Sequence, residues 1–302
     1  MATSSLLPYF SVIIPTFNRP QGLQHCLEGL SALNYPRDRC EVLVVNDGGL
    51  HSPDSLIRSL GARSQIRLLH VPHGGPAAAR NAGACEATGE VLAFTDDDCV
   101  PASGWLQALA SGFSRAPDSL IGGRTLNSLD GNPYSTASQL LIDYLYEYYG
   151  RSSRPGRFFA SNNLAVPTGA FRSLGGFDSS FTRAGGEDRE LCDRWQGQGN
   201  ELRYVPEAVV YHAHALSLRS FWQQHARYGR GAHRFHRLRT LRDGQQVRLE
   251  PPSFYAGLVG SPFRNDRVGQ RTLLASLLLL SQISNAIGYY REALGTRLRR
   301  GC

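Results

Sequence analysis

The chain has 302 residues, long enough to bury a sizeable core as one large domain or as a domain with an appendage. Its hydrophobic content of 41% and charged content of 19% are those of an ordinary globular protein and exclude a disordered or fibrous chain. Net charge is +7, and the excess gathers between Arg219 and Arg248, where Asp243 is the one acid; such a region can serve nucleic acid, an anionic membrane face or phosphorylated substrates.

In chain order, Phe10 to Ile14 is a short apolar run that reads as a buried strand. Leu23, Leu27 and Leu30 recur at helical spacing within Gly22 to Leu33, so a helix follows. Cys40 to Val45 is the next strand, Ser55 to Leu60 a helix, Ile66 to Val71 a third strand, and alanine-rich Pro76 to Ala87 a helix. Val91 to Thr95 is a fourth strand that runs straight into Asp96-Asp97-Asp98. This alternation of strand and helix predicts an α/β fold with a mostly parallel sheet covered by helices on both faces. Ligands of such sheets bind beyond the carboxyl ends of the strands. Thr16-Phe17-Asn18-Arg19, Asn46-Asp47 and Asp96-Asp97-Asp98 follow three of those ends and should gather on one rim.

Ile121 to Val166 reads as extended segments around a tyrosine-rich stretch, Tyr144 to Tyr149. Gly185-Gly186-Glu187-Asp188 opens a helix that stops near Gly197, and Val205 to His214 reads as a last strand. The composition then turns basic and helical, which divides the chain into a domain over residues 1–215 and a tail over residues 216–302. In that tail, Leu273, Leu277, Leu280, Ile283 and Ile287 recur at helical spacing, flanked by Arg271, Arg291, Arg297, Arg299 and Arg300. The stretch is too interrupted by polar residues for a spanning helix of the usual ~20 residues. It fits an amphipathic helix lying in a membrane surface and, equally, a helix packed on the core. The six cysteines, Cys26, Cys40, Cys85, Cys99, Cys192 and Cys302, form no CxxC and no regular spacing, which favours isolated thiols. No charged segment followed by an apolar one opens the chain, so a cytoplasmic setting is expected, extending to the inner face of a membrane.

Side chains two apart on an extended segment point the same way, so Asp96 and Asp98 can face one ligand while Asp97 faces away. Two hard oxygen ligands beside a diphosphate suit Mg²⁺ or Mn²⁺. The alternative role, capping the helix that contains Trp105 and Leu106, can be filled by Ser103 and does not account for three acids.

Five segments now resemble one family. They are Val12-Ile-Ile-Pro-Thr-Phe-Asn-Arg19, Glu41-Val-Leu-Val-Val-Asn-Asp-Gly-Gly49, Gly75-Pro-Ala-Ala-Ala-Arg-Asn-Ala-Gly83, Phe94-Thr-Asp-Asp-Asp-Cys-Val-Pro101 and Gly186-Glu-Asp-Arg-Glu-Leu191. In this order, over roughly residues 9 to 214, they resemble the family 2 glycosyltransferases of GT-A fold, which are inverting enzymes using nucleotide-sugars. The resemblance implies that Pro15, Thr16, Asn18 and Arg19 belong to the donor loop, Asp47 to the base contact and Arg80 to the donor phosphates. It places Asp96 near the ribose or sugar, with Asp97 beside it, and gives Asp98 to the metal. Glu187 and Asp188 match the acceptor-side acids, with Asp188 as base; acids in a helix's first turn also suit its dipole, a role Glu190 fills as well. His212 is the candidate that completes the metal shell, with His214 in reserve. Gln224-His-Ala-Arg227-Tyr228 resembles the QxxRW signature of membrane-embedded processive members, with tyrosine for tryptophan, a departure that argues against a polymer-extruding synthase.

The expected partners are therefore a nucleotide-sugar, a glycan or lipid-linked acceptor and a membrane surface touched by the tail, with no nucleic acid. A sugar nucleotidyltransferase would carry a GxGxR loop where this chain has Pro15 to Arg19. A non-catalytic nucleotide-sugar binding protein would have less need of converging acids, which repel phosphate in the absence of a metal.

Overall fold

The computed structural model describes residues 7–60, 65–150, 157–244, 249–264 and 269–298. Arg248, Arg299, Arg300 and Cys302, and residues 151–156 of the Ile121 to Val166 stretch expected to be extended, lie outside the described residues. The chain divides into two compact units. One comprises Met1–Leu126, Phe158–Thr182 and Glu190–Ala213; the other comprises Asn127–Arg157, Arg183–Arg189 and His214–Cys302.

The first unit is built on an eight-stranded sheet of order β3-β2-β1-β4-β7-β6-β8-β5. Its strands are β1 (Phe10–Thr16), β2 (Cys40–Asp47), β3 (Ile66–Val71), β4 (Val91–Thr95), β5 (Cys99–Pro101), β6 (Leu120–Asn127), β7 (Asn163–Pro167) and β8 (Leu202–His212). Strands β1 to β4 pair in parallel, and the sheet continues through antiparallel pairings of β4 with β7, β6 with β7, and β5 with β8. All seven residues of β1 are buried, as expected of a parallel strand covered on both faces. Helices α1 (Pro20–Ser31), α2 (Asp54–Leu60), α3 (Pro76–Glu86) and α4 (Trp105–Arg115) follow the strands. α1 and α3 each begin with proline at a first-turn position, where the missing N–H costs nothing. Leu23, Cys26, Leu27 and Leu30 of α1 join β1 and β2 in the main core.

Register decides where the polar strand ends meet. Thr16 lies opposite Asn46, and Asn46 opposite His70. On the other side of β1, Ile13 lies opposite Phe94, which brings the end of β4 to the same rim. The chain reverses its progress across the sheet between β1 and β4, the place where open α/β sheets leave a crevice. Toward the opposite rim, buried Glu41 accepts hydrogen bonds from Ser11 Oγ (2.7 Å), Thr88 Oγ1 (2.6 Å), Thr88 N (2.7 Å) and Arg67 Nη1 (3.1 Å). Burial alone would raise its pKa, but those donors outweigh burial and hold it below the usual value.

The second unit is helical. The stretch expected to be extended around Tyr144 to Tyr149 is instead α5 (Pro133–Gly150), an eighteen-residue helix. Tyrosine's strand preference is overridden because Ala137, Leu140, Leu141 and Tyr144 form a helical stripe that packs inward. Asn132 caps the helix, its Oδ1 accepting the N–H groups of Tyr134 and Ser135 at 3.0 Å each. The tyrosines act as ties: Tyr144 Oη donates to Phe254 O at 2.8 Å, and Tyr149 Oη to Glu250 Oε1 at 2.7 Å.

α6 (Thr168–Ser173) and α7 (Glu187–Gly197) from Glu190 onward belong to the first unit, and α8 (Leu218–Asp243), α9 (Pro252–Arg264) and α10 (Arg271–Leu298) complete the second. α8 opens on a Ser217–Ser220 capping box and ends at Gly244 in the left-handed conformation. α8 and α10 approach closely at Gly229 and Gly288, where a β-carbon would run into the backbone of Asn285 and Ala226 respectively. Leu274, Leu277 and Leu278 of α10 are buried, whereas Leu273, Leu279, Ile283, Tyr290 and Leu294 are exposed. Packing therefore accounts for one face of α10 and leaves a second apolar face outward. Arg271–Thr296 also has the length and mean hydropathy (1.3) of a membrane span, properties that buried core helices share and that counting the uninterrupted apolar run did not anticipate.

Candidate active site

The three aspartates lie in a tight turn, closed by Cys99 N–H donating to Asp96 O at 3.1 Å. The alternation expected of an extended strand therefore does not apply: Asp96 pairs with Arg80, while Asp97 and Asp98 share Arg19. Asp96 receives Arg80 Nη2 at 2.6 Å. Arg80 is almost wholly buried, with its guanidinium 5.6 Å from the centre of the Phe177 ring, so it is not a solvated cation on an alanine-rich helix.

Asp97 does not face away. It turns back to the end of β1, where Thr16 Oγ1 donates to it at 2.8 Å and Arg19 Nη1 lies 3.2 Å off. Burial pushes its pKa up to about 6, against the pull of Arg19 and with the repulsion of Asp98 and Asp96. Asp98 receives the same Arg19 Nη1 at 2.6 Å on Oδ2, and His212 Nε2 lies 3.2 Å from its Oδ1. The pairing of β5 with β8 sets this contact, since Cys99 lies opposite His212 and Ala213 N–H donates to Asp98 O at 2.8 Å. Burial would lower the His212 pKa, but the hydrogen bond and charge of Asp98, with Asp96 behind it, raise it overall.

Neither Ser103 nor an aspartate caps α4. Its N-cap is Gly104, with no side-chain hydrogen bond. The acids are thus not consumed by capping, although Ser103 does not take that role either. Asp98 and His212 offer oxygen and imidazole nitrogen at one point, a donor set that fits Mn²⁺ and, through the carboxylate, Mg²⁺.

The remaining donor-loop residues lie on the same rim. Pro15 is buried in β1 opposite Val45. Asn18 takes φ of +56°, which asparagine tolerates, and its Oδ1 accepts His51 N–H at 3.2 Å. Asp47 is buried, and its carboxylate holds the loop after β3, accepting Gly74 N–H at 2.8 Å and Gly75 N–H at 3.0 Å, with His73 Nδ1 at 2.9 Å. Sequence reasoning passed over two rings here. Phe17 and His73 stack with centroids 4.6 Å apart, and Phe17 is exposed. The signal was an aromatic residue placed directly after a strand end, where burial would not call for one.

Structure separates the three acids of α7 that sequence left equivalent. Glu190 is buried and clamped by Arg194, whose Nε lies 2.7 Å from Oε1 and whose Nη2 lies 2.7 Å from Oε2. Glu187 is buried, and its Oε2 accepts Gly185 N–H at 2.7 Å, holding a turn in which Gly185 and Gly186 have φ of +131° and +99°. Asp188 is only partly buried, and its Oδ1 accepts the N–H of neighbouring Arg189 at 2.7 Å. In the second unit, Gln224 is buried and donates to Ser138 Oγ at 3.4 Å, while Arg227 is exposed. His214 is likewise part of the second unit.

The profile described as "Glycosyl transferase family 2" matches residues 11–174, more than half of the chain. The chain belongs to this family. A second profile, "Glycosyl transferase family group 2", matches residues 96–290. The chain is 34% identical over 232 residues to the pre-mycofactocin glycosyltransferase of Mycobacterium tuberculosis, covering 74% of this chain and 46% of that protein. It spans about half the length of the curated relatives it matches.

Among solved structures, it is similar to a mannosyltransferase of Pyrobaculum calidifontis in complex with GDP-Man and Mn²⁺, with TM-score 0.65, 18% identity and coverage of 93% of this chain and 88% of that one. It is also similar to TarS of S. aureus in complex with UDP-GlcNAc, with TM-score 0.55, 15% identity and coverage of 97% and 92%. These likenesses give the fold: an α/β GT-A sheet with helices flanking it and helices at the C-terminal end.

Proposed function

We propose that this chain is an inverting glycosyltransferase that moves a sugar from a nucleoside-diphosphate sugar to a hydroxyl acceptor with the help of a divalent cation. The observation that carries the proposal is the distribution of charge at the carboxyl rim of β1 and β4. Three acids stand in one turn, each met by a fixed or tethered donor: Arg80 on Asp96, Thr16 and Arg19 on Asp97, and Arg19 and His212 on Asp98. Family membership supports transfer of a sugar, and the similar structures solved with GDP-Man and UDP-GlcNAc support a nucleotide-linked donor.

In this reading Asp98 and His212 hold Mn²⁺ or Mg²⁺, which when bound would neutralise charge on the departing diphosphate. Arg80 is fixed by burial and by Phe177, so its cationic end is preset for phosphate oxygens at no cost in side-chain ordering. Phe17 offers a ring face for a base, and Asp47 stiffens the loop that carries His73 behind it. Asp96 is directed to ribose or sugar hydroxyls. Asp188 takes the proton of the acceptor hydroxyl as that oxygen attacks the anomeric carbon, inverting it. Glu187 and Glu190 support Asp188 by shaping the loop and helix that carry it. Binding of UDP-, GDP- and dTDP-sugars measured in Mn²⁺ tests the assignment: at least one should bind and raise Tm, and binding by none would remove it.

The acceptor is proposed to be a glycan or a lipid-linked molecule, reached at the cytoplasmic face of a membrane. The support is the outward face of α10, where Leu279, Ile283 and Tyr290 are exposed between Arg271 and Arg291, with exposed Leu294 one turn beyond. The doubly substituted chain Leu279→Glu, Ile283→Glu should lose most of its co-sedimentation with anionic liposomes while keeping its helical circular dichroism. Equal sedimentation by both proteins would remove the membrane reading.

A further inference from the structure

Arg19 is bound differently from the other cation of the site. Arg80 is locked, with 3% of its side chain exposed, beneath Phe177 and on Asp96. The Arg19 side chain is 52% exposed, while its backbone is held at the start of α1, its carbonyl accepting Leu23 N–H at 3.0 Å. Its Nη1 alone bridges Asp97 Oδ1 at 3.2 Å and Asp98 Oδ2 at 2.6 Å. The other oxygen of Asp98 faces His212 Nε2 at 3.2 Å. Both oxygens of the proposed metal ligand are therefore engaged by the protein's own donors.

A divalent cation on Asp98 and a guanidinium at 2.6 Å from the same carboxylate would repel each other strongly in a partly buried site. That repulsion weakens metal binding while Arg19 stays in place, and the exposed, tethered side chain is the one that can be drawn away. A nucleoside diphosphate supplies the destination, because a planar guanidinium pairs with phosphate oxygens as readily as with a carboxylate.

We propose that Arg19 is a built-in counter-cation that occupies Asp98 until a nucleoside diphosphate draws it away, so that metal and nucleotide enter the site together. This rests on Asp98 being the metal ligand and assigns Arg19 a positioning role through it. The occupancy of Asp98 by Arg19 disfavours metal bound alone. The coupling is reciprocal: whatever nucleotide does for metal affinity, metal does for nucleotide affinity.

The experiment is an electron paramagnetic resonance titration of Mn²⁺, alone and with saturating UDP or GDP, on the wild-type chain and on Arg19→Gln. Half of the Arg19 side chain is exposed, so the variant is expected to fold, and its Tm is measured alongside. Without nucleotide, Arg19→Gln should bind Mn²⁺ roughly tenfold more tightly or better, the equivalent of one lost charge-assisted hydrogen bond. With nucleotide the two proteins should differ little, so the coupling between the ligands shrinks in the variant. An unchanged affinity without nucleotide overturns the proposal. An equal gain in both states overturns it too, since a static charge would act in both. Absence of Mn²⁺ binding by either protein in any state overturns it together with the metal reading of Asp98, whereas the first two results leave that reading standing.

Discussion

Asp188→Asn is expected to lower the rate of sugar transfer by about 10³-fold, within the range that general bases contribute, while donor affinity stays nearly unchanged. The amide keeps the size of the side chain and its ability to accept the Arg189 N–H, so the start of α7 should stay intact. What it loses is the capacity to take a proton. The choice of Asp188 over its neighbours rests on access: Asp188 is partly exposed, whereas Glu187 and Glu190 are buried. Glu190 is held by two nitrogens of Arg194, and Glu187 by the turn at Gly185. Glu187→Gln should therefore act more on stability than on chemistry. Steady-state transfer and donor binding, measured on the same preparation, check the prediction. Normal transfer by Asp188→Asn would move the base elsewhere.

Asp97→Asn is expected to stabilise the protein at pH 8, measured in chelator, and to change it far less at pH 4. The carboxyl titrates at about 6 in the fold against an ordinary value of 3.8, because burial penalises its charge more than Arg19 and Thr16 compensate it. Between those two values the folded protein holds a proton that the unfolded chain has released, so stability falls as pH rises through that window. Above it the penalty is fully present, and a displacement of this size corresponds to roughly 3 kcal/mol, taken as an upper bound. Asparagine removes the charge and can still accept from Thr16 Oγ1. Urea midpoints at the two pH values decide the matter. A variant less stable at pH 8 would mean that the charge of Asp97, through Arg19, supports the fold. The gain at pH 8 would place Asp97 among active-site residues kept at a cost in stability.

The parallel half of the sheet was legible because its strands are continuous apolar runs ended by Pro, Gly, Asn and Asp. β1 through β4 and the helices between them fall where periodicity puts them. The convergence of Thr16, Asn46-Asp47 and the aspartates on one rim followed from strand direction alone. α5 was not legible from composition, since tyrosine favours strands and the inward stripe at Ala137, Leu140, Leu141 and Tyr144 shows only against α8, α9 and α10. The orientation of Asp97 was missed for a different reason. A hydrogen bond three residues long, from Cys99 N–H to Asp96 O, converts the strand end into a turn and cancels the period of two. The pairing of Arg19 with Asp98, and of Phe17 with His73, links residues 79 and 56 apart, respectively, in the chain and depends on the finished sheet.

The central claim is that Asp98 and His212 hold a divalent cation that donor turnover needs. The most direct test is release of nucleoside diphosphate from the nucleotide-sugar that binds, with added Mn²⁺ or Mg²⁺ and then in excess chelator, for the wild-type chain and Asp98→Ala. The account predicts turnover with metal, none in chelator, recovery when metal is restored, and none by Asp98→Ala under any condition. Full turnover in chelator would contradict it.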